Sequence, residues 1–163
     1  MKFDELFLTT LKDVYYAERQ VLKSLPKMAK AAHSPTLKQA FLTHREETEG
    51  QVDRLKQVFE ALGKRAHGVT CEAMNGLIEE CEELLEAATE PSAVRDAGLI
   101  GCGQAIEHYE MARYGTLIAW AQASGHKEVV ALLQTNLDEE KKADMLLSQM
   151  ATQEINPQAA KAA

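Results

Sequence analysis

Gln104-Ala105-Ile106-Glu107-His108-Tyr109-Glu110-Met111-Ala112-Arg113-Tyr114 sets two glutamates inside an otherwise apolar helical pattern. At about 100° per residue, Ile100, Gln104, Glu107, Met111, Tyr114 and Ile118 share one face, with Glu110 at its edge. That face should turn towards a core, where an isolated charge is not tolerated. A proton, a basic partner or a cation must neutralise these carboxylates. The remainder of the chain has to supply one of the three.

Working outward, sparse prolines and glycines separate strongly periodic segments, and no β-type alternation is sustained. Five helices are expected. The first covers about Phe3 to Ala32, its inward stripe formed by Phe7, Leu11, Val14, Tyr15, Leu22 and Leu25 around Glu18; Pro26 should kink it or end it early. Ser34 is placed to cap the second, about Pro35 to Leu62, with Pro35 at its first position. His44, Glu47 and Gln51 project from its apolar face. A shorter third helix, about Cys71 to Ala88, carries a glutamate-rich face that reads as solvated. It belongs to the connection that lets two consecutive long helices run parallel. The fourth, about Ser92 to Ser124, contains the opening stretch, and Trp120 falls on its outer side, for a partner helix or a dimer contact to cover. The fifth, about Lys127 to Ile155, sets Glu140 and Asp144 among its inward leucines; Asn156-Pro157 should stop it and leave residues 157–163 as a disordered tail. The fold class is all-α, a four-helix bundle with a short extra helix in the crossover, and residues 1–156 form a single domain.

The net charge of −7, with no basic cluster, argues against nucleic-acid binding. No apolar run approaches the roughly 18 residues of a membrane span. Met1-Lys2-Phe3-Asp4-Glu5 lacks the apolar segment of a secretory signal, so a cytoplasmic protein is expected. Cys71, Cys81 and Cys102 form neither a zinc motif nor a disulfide framework and are read as reduced thiols.

Each long helix thus sets a glutamate in its inward stripe: Glu18, Glu47, Glu107 and Glu140. Glu110 and Asp144 add acidic groups one turn away, while helix two adds His44 and Gln51. Taken singly, such a glutamate is more often a snorkelling side chain than a ligand. Four coincident positions on four helices reverse those odds, because inward lysines and arginines are too few to pair them. Clustered carboxylates would otherwise force protons onto one another. A pair of hard cations, iron or manganese, resolves the set, and bundle cores are where such sites are built. Tyr15 and Tyr114 face inward and are candidates to hydrogen-bond ligands or supply a proton.

Ala17-Glu18-Arg19-Gln20, His44-Arg45-Glu46-Glu47-Thr48-Glu49-Gly50-Gln51, Glu107-His108-Tyr109-Glu110 with Tyr114-Gly115-Thr116-Leu117, Leu137-Asp138-Glu139-Glu140-Lys141, Cys71-Glu72-Ala73-Met74 and Gly76-Leu77-Ile78-Glu79-Glu80 resemble the YciE/YciF-type ferritin-like proteins, in order and over nearly the whole chain. The resemblance implies a ferritin-like bundle, usually a homodimer, associated with bacterial stress responses. Its wider superfamily of rubrerythrins, ferritins and manganese catalases implies two metals acting on peroxide or dioxygen, in peroxidase-, catalase- or oxidase-like chemistry. That superfamily takes one Glu from each of two helices and Glu-x-x-His from each of the others. Here Gly50 and Ala143 stand where the histidines belong, so His44 and Asp144 are the available substitutes, with Gln51 a weaker one. The implied ligands are Glu18, Glu47, Glu107, Glu110, Glu140 and Asp144, with His44 as a further one. No cysteine pair of the rubredoxin type is present, so a redox cycle needs an external electron donor, whereas catalase-like disproportionation does not. The rival expectation is a non-catalytic bundle with a vestigial site, working through a dimer or partner interface; iron storage is a third.

Overall fold

Helix starts and stops follow local chemistry. In the computed structural model, which describes residues 1–161, α1 spans Phe3–Ala31, α2 Pro35–Ala61, α3 Glu72–Ala87, α4 Ala93–Ala123 and α5 Lys127–Met150. The Ser34 hydroxyl accepts from Leu37 N–H (3.3 Å) and that of Ser92 from Arg95 N–H (3.2 Å), as N-caps do. Cys71 caps α3 with its sulfur, 3.4 Å from the Met74 nitrogen. Gly63 (φ 66°) and Gly125 (φ 82°) turn the chain out of α2 and α4 in the left-handed region that glycine tolerates best.

Pro26 does not end α1. It removes one backbone bond, but Leu25, Met28 and Ala29 around it are buried, and that packing carries the helix through. The other end of the chain also departs from expectation. After α5 the backbone widens into one π-helical turn, Ala151–Ile155, and continues as α6, Asn156–Lys161. Pro157, which has no N–H to donate, closely follows that widened turn, and the helix runs on through it. The tail expected to be disordered is therefore helical over 157–161; residues 162–163 lie outside the described residues.

Two buried clusters divide the bundle along its length. One holds Phe7 to Tyr15 of α1, Val52 to Phe59 of α2, Tyr114 to Ala121 of α4 and Val129 to Leu137 of α5. The other holds Ala17 to Ala29, Leu37 and Phe41, Leu99 to Ile106, and Leu147 to Ile155. Followed from cluster to cluster, α1 and α5 run one way while α2 and α4 run the other. Neighbours are α1 with α2, α2 with α5, α5 with α4 and α4 with α1, so the parallel pair α2 and α4 is diagonal. The crossover between them contains α3, which packs on α4 and α1. Trp120 is partly covered from within the chain, its ring meeting Phe3 edge-on at 5.9 Å. All three cysteines are free thiols. No helix among the described residues is long and apolar enough to cross a membrane.

Asp96 ties the α1–α2 turn to α4. Fully buried, its two carboxylate oxygens accept the His33 and Ser34 backbone N–H groups at 2.7 Å each. Asp96→Ala should cost about 2–4 kcal/mol in urea unfolding, because two buried backbone donors lose a charged acceptor. The same change at exposed Asp53 should cost about 0.5 kcal/mol or less.

Candidate metal centre

Between the two apolar clusters lies a polar layer one to two turns deep. It consists of Glu18 of α1, His44 of α2, Glu107 and Glu110 of α4, and Glu140 of α5, each no more than 6% exposed. The donors fall into two groups that share a member. His44, Glu107 and Glu140 each bring a ligand atom within 4.8 Å of the other two, as do Glu18, Glu110 and Glu140. Glu140 thus stands between two candidate cation positions.

The stripe in α4 is rotated from the expected one. Glu110, read as an edge residue, is 1% exposed, whereas Gln104 and Met111 are only partly buried. In α2 the buried line runs through His44, Thr48, Gln51 and Leu55, so His44 takes the central place expected for Glu47. Glu47 sits at the rim, accepting from His44 Nδ1 (3.2 Å) and from Lys142 Nζ (3.3 Å). Asp144 likewise lies outside both donor groups. It accepts from Gln104 Nε2 (3.1 Å) and meets the exposed His108 ring at 3.2 Å. Tyr114 is fully buried and donates its hydroxyl hydrogen to Glu18 Oε1. Tyr15 is not brought into the cluster; it packs edge-on against Phe59 at 5.6 Å.

The donor set fits hard cations. Glu18 Oε2, His44 Nε2, Glu107 Oε2 and both oxygens of Glu110 and of Glu140 are buried without a protein hydrogen-bond partner. His44 Nε2 lies 3.1 Å from Glu107 Oε1 and 3.4 Å from Glu140 Oε2, but off the axis a hydrogen bond requires. Native interiors rarely leave so many polar atoms unsatisfied in one place. Four carboxylates and one imidazole are the hard, oxygen-rich surroundings that iron and manganese accept. The Nδ1 contact with Glu47 fixes the imidazole and leaves Nε2 as the atom facing the cluster.

With protons alone to neutralise it, the layer is strongly perturbed. Burial pushes Glu18 up to about 7 despite the Tyr114 hydrogen bond. Burial, reinforced by neighbouring carboxylates, raises Glu110 and Glu140 well above the usual range. Burial opposes a charge on His44, but Glu107, Glu47 and Glu18 outweigh it and hold the ring at about 10. Glu107 is lowered: burial works against it, but Glu140 and His44 prevail. Such opposed shifts in one small volume are characteristic of functional sites.

The sequence reading did not find Asn136 or Arg54. Asn136 is fully buried, and its amide nitrogen lies 3.0 Å from Tyr114 Oη and 3.3 Å from the Gln51 carbonyl. Arg54 reaches its carbonyl oxygen and pairs through two nitrogens with Glu139, at 2.9 and 2.6 Å. Asn136 lies one turn before Glu140 on the same face, a register visible in sequence. The meeting of Arg54 with α5 was not.

A four-helix bundle of ferritin-like architecture, with buried carboxylates and a histidine between two apolar clusters, defines the class. The chain belongs to the family described as "Domain of unknown function (DUF892)", whose model matches residues 2–160. It is 42% identical over 157 residues to Protein YciF of Escherichia coli (strain K12), covering 96% of this chain and 94% of that protein. The crystal structure of the E. coli stress protein YciF matches with a TM-score of 0.90, covering 95% of this chain and 98% of that one. YcfI of Rhodopseudomonas palustris, described as a putative structural protein, matches at 47% identity and a TM-score of 0.87, over 91% of this chain and 94% of that one. A protein of Xanthomonas campestris matches at 25% identity and a TM-score of 0.70, over 91% of this chain and 90% of that one.

Proposed function

We propose that this chain is a stress-associated di-metal carboxylate protein that holds two iron or manganese ions in its bundle and acts on peroxide or dioxygen. The observation that carries the reading is the pair of buried donor groups meeting at Glu140. His44, Glu107 and Glu140 would hold one ion, and Glu18, Glu110 and Glu140 the other. When bound, the ions supply one-electron redox change and an open coordination position for a small oxidant.

The chain's own residues do the rest. Tyr114, its hydroxyl held well above the ordinary range by burial and by nearby carboxylates, keeps its proton and gives a hydrogen bond to Glu18. The apolar clusters above and below exclude bulk water. A cavity of about 60 Å³ between α2 and α5, lined by Phe41, His44, Glu47, Glu107, Lys142 and Leu147 among others, leads to the His44–Glu107 side. It has room for a molecule of a few heavy atoms, since a water needs only about 10–15 Å³ of such space. The stress association follows that of the YciF relative, and a cytoplasmic homodimer is the working assembly in this reading.

Protein reconstituted with Fe(II) or Mn(II) should consume hydrogen peroxide or dioxygen at a rate proportional to bound metal. His44→Ala should lower that rate by roughly a hundredfold, within the range for loss of a ligand or its outer partners. A loaded protein inert to both oxidants would end the catalytic part of this reading.

A further inference from the structure

Leading away from the layer is a chain of hydrogen bonds whose direction is set at its outer end. Arg54, about one fifth exposed, can only donate. It therefore fixes the Asn136 side-chain oxygen towards itself, and the amide nitrogen towards the interior. Both amide hydrogens are then committed, one to Tyr114 Oη and one to the Gln51 carbonyl. Tyr114 Oη, now an acceptor from Asn136, has its own hydrogen left for Glu18 Oε1. Glu18 Oε2 remains buried and unpartnered.

We propose that Arg54 is a positioning residue, which fixes the direction of the Arg54–Asn136–Tyr114–Glu18 chain so that Tyr114 donates to Glu18 and leaves Oε2 of Glu18 free for a cation. The last clause rests on the di-metal reading; the direction of the chain does not. Without a donor-only group at the Arg54 position, only the long 3.3 Å bond to the Gln51 carbonyl still orients the Asn136 amide, and the amide can turn over. Tyr114 would then donate outward, and its lone pairs would face the Glu18 carboxylate. Glu18 Oε1 would then lose the Tyr114 donor and meet an acceptor instead, so the carboxylate would no longer be held in place with Oε2 towards its donor group.

Three variants test this against a purely structural or electrostatic role. Asn136→Asp keeps the volume and the partnership with Arg54, adds a negative charge, and presents only acceptors to Tyr114. Simple electrostatics predicts tighter cation binding; the directional chain predicts weaker. Titration of Mn(II) into the full chain, following free ion by electron paramagnetic resonance, should show two bound ions in the wild type. In Asn136→Asp and in Arg54→Met, one of the two should weaken by about ten- to a hundredfold. Arg54→Lys, still a donor-only cation, should restore both.

The Raman tyrosine doublet of metal-free protein, taken as a difference against Tyr114→Phe, reports whether this phenol donates or accepts. It should change in Asn136→Asp and Arg54→Met and stay as in the wild type in Arg54→Lys. An unchanged doublet in the first two variants overturns the proposal, as does Mn(II) binding in Asn136→Asp that equals or exceeds the wild type. A wild type that binds no Mn(II) overturns the di-metal reading and the cation clause together, while the Raman comparison still decides the direction of the chain.

Discussion

Replacing Glu140 with glutamine should abolish binding of both ions, whereas His44→Ala and Glu18→Ala should each remove one. The asymmetry follows from geometry, because Glu140 is the single member common to both donor groups. A glutamine keeps the volume but offers a neutral oxygen and an NH₂ group, and so would hold neither cation well. The same substitution should have the opposite sign on the metal-free fold. Glu140 is fully buried, crowded by Glu107, Glu110 and Glu18, and held well above the ordinary carboxyl range, first by burial and then by those neighbours. Removing its ionisable group should stabilise the metal-free protein above neutral pH by about 1–3 kcal/mol, as neutral replacement of buried ionic groups often does. Titration calorimetry with Mn(II) and urea unfolding with and without chelator measure both arms. A variant that still binds two ions would contradict a role for Glu140 in both donor groups.

The second large effect is a fall in the stability of chelated protein as pH rises from 5 to 8. Glu18 is raised from an ordinary value of 4.5 to about 7 in the folded state. Its protonated form is therefore favoured by folding, and that contribution is complete below pH 4.5 and lost as pH passes 7. At 1.36 kcal/mol per unit it amounts to roughly 3 kcal/mol, or a Tm change of about 10 °C for a chain of this size. Glu110 and Glu140, also raised, act in the same direction. So does His44, whose contribution begins to fade above 6.5 and is lost through about 10. Glu47 and Glu107 are lowered, so their contribution is present above pH 4.5 and disappears only in acid. They do not offset the fall between pH 5 and 8. Metal-loaded protein should show the reverse tendency, because binding releases these protons and strengthens as pH rises. The stabilisation lost on chelation should thus widen with pH. A chelated protein whose Tm is level or rising over this range would contradict the assigned protonation.

Most of the architecture was legible because it rests on periodicity. The four long helices, the short helix of the crossover and the parallel run of α2 and α4 follow from apolar spacing and from a connection too long for a hairpin. The Ser34 cap is local and was equally readable. Of the two effects expected of Pro26, an early end of α1 did not occur, because a local breaker was outweighed by burial on both sides of it. Asn156-Pro157 misled because the helix does not stop there: it widens over Ala151–Ile155 and continues past the proline.

The polar layer was legible in kind but not in detail. Glu18, Glu107, Glu110 and Glu140 were found because carboxylates interrupting apolar stripes stand out. Helical periodicity fixes a face only to within one residue position, which is why Glu47 was placed ahead of His44, and why Asp144 seemed to share the site. The structure puts Glu47 against Lys142 and Asp144 against Gln104 and His108, at the rim. Asn136 escaped because a lone asparagine on an inward face carries no signature until its partners from α2 and α4 are known.

The buried carboxylates and His44 are proposed to form a working two-cation site. Elemental analysis of protein purified without added metal, paired with thermal melting before and after chelation at pH 7.5, tests it most directly. About two iron or manganese atoms per chain, with a fall in Tm on chelation, is the predicted result. Absence of metal with an unchanged melt, even after reconstitution with Fe(II) and Mn(II), would contradict it.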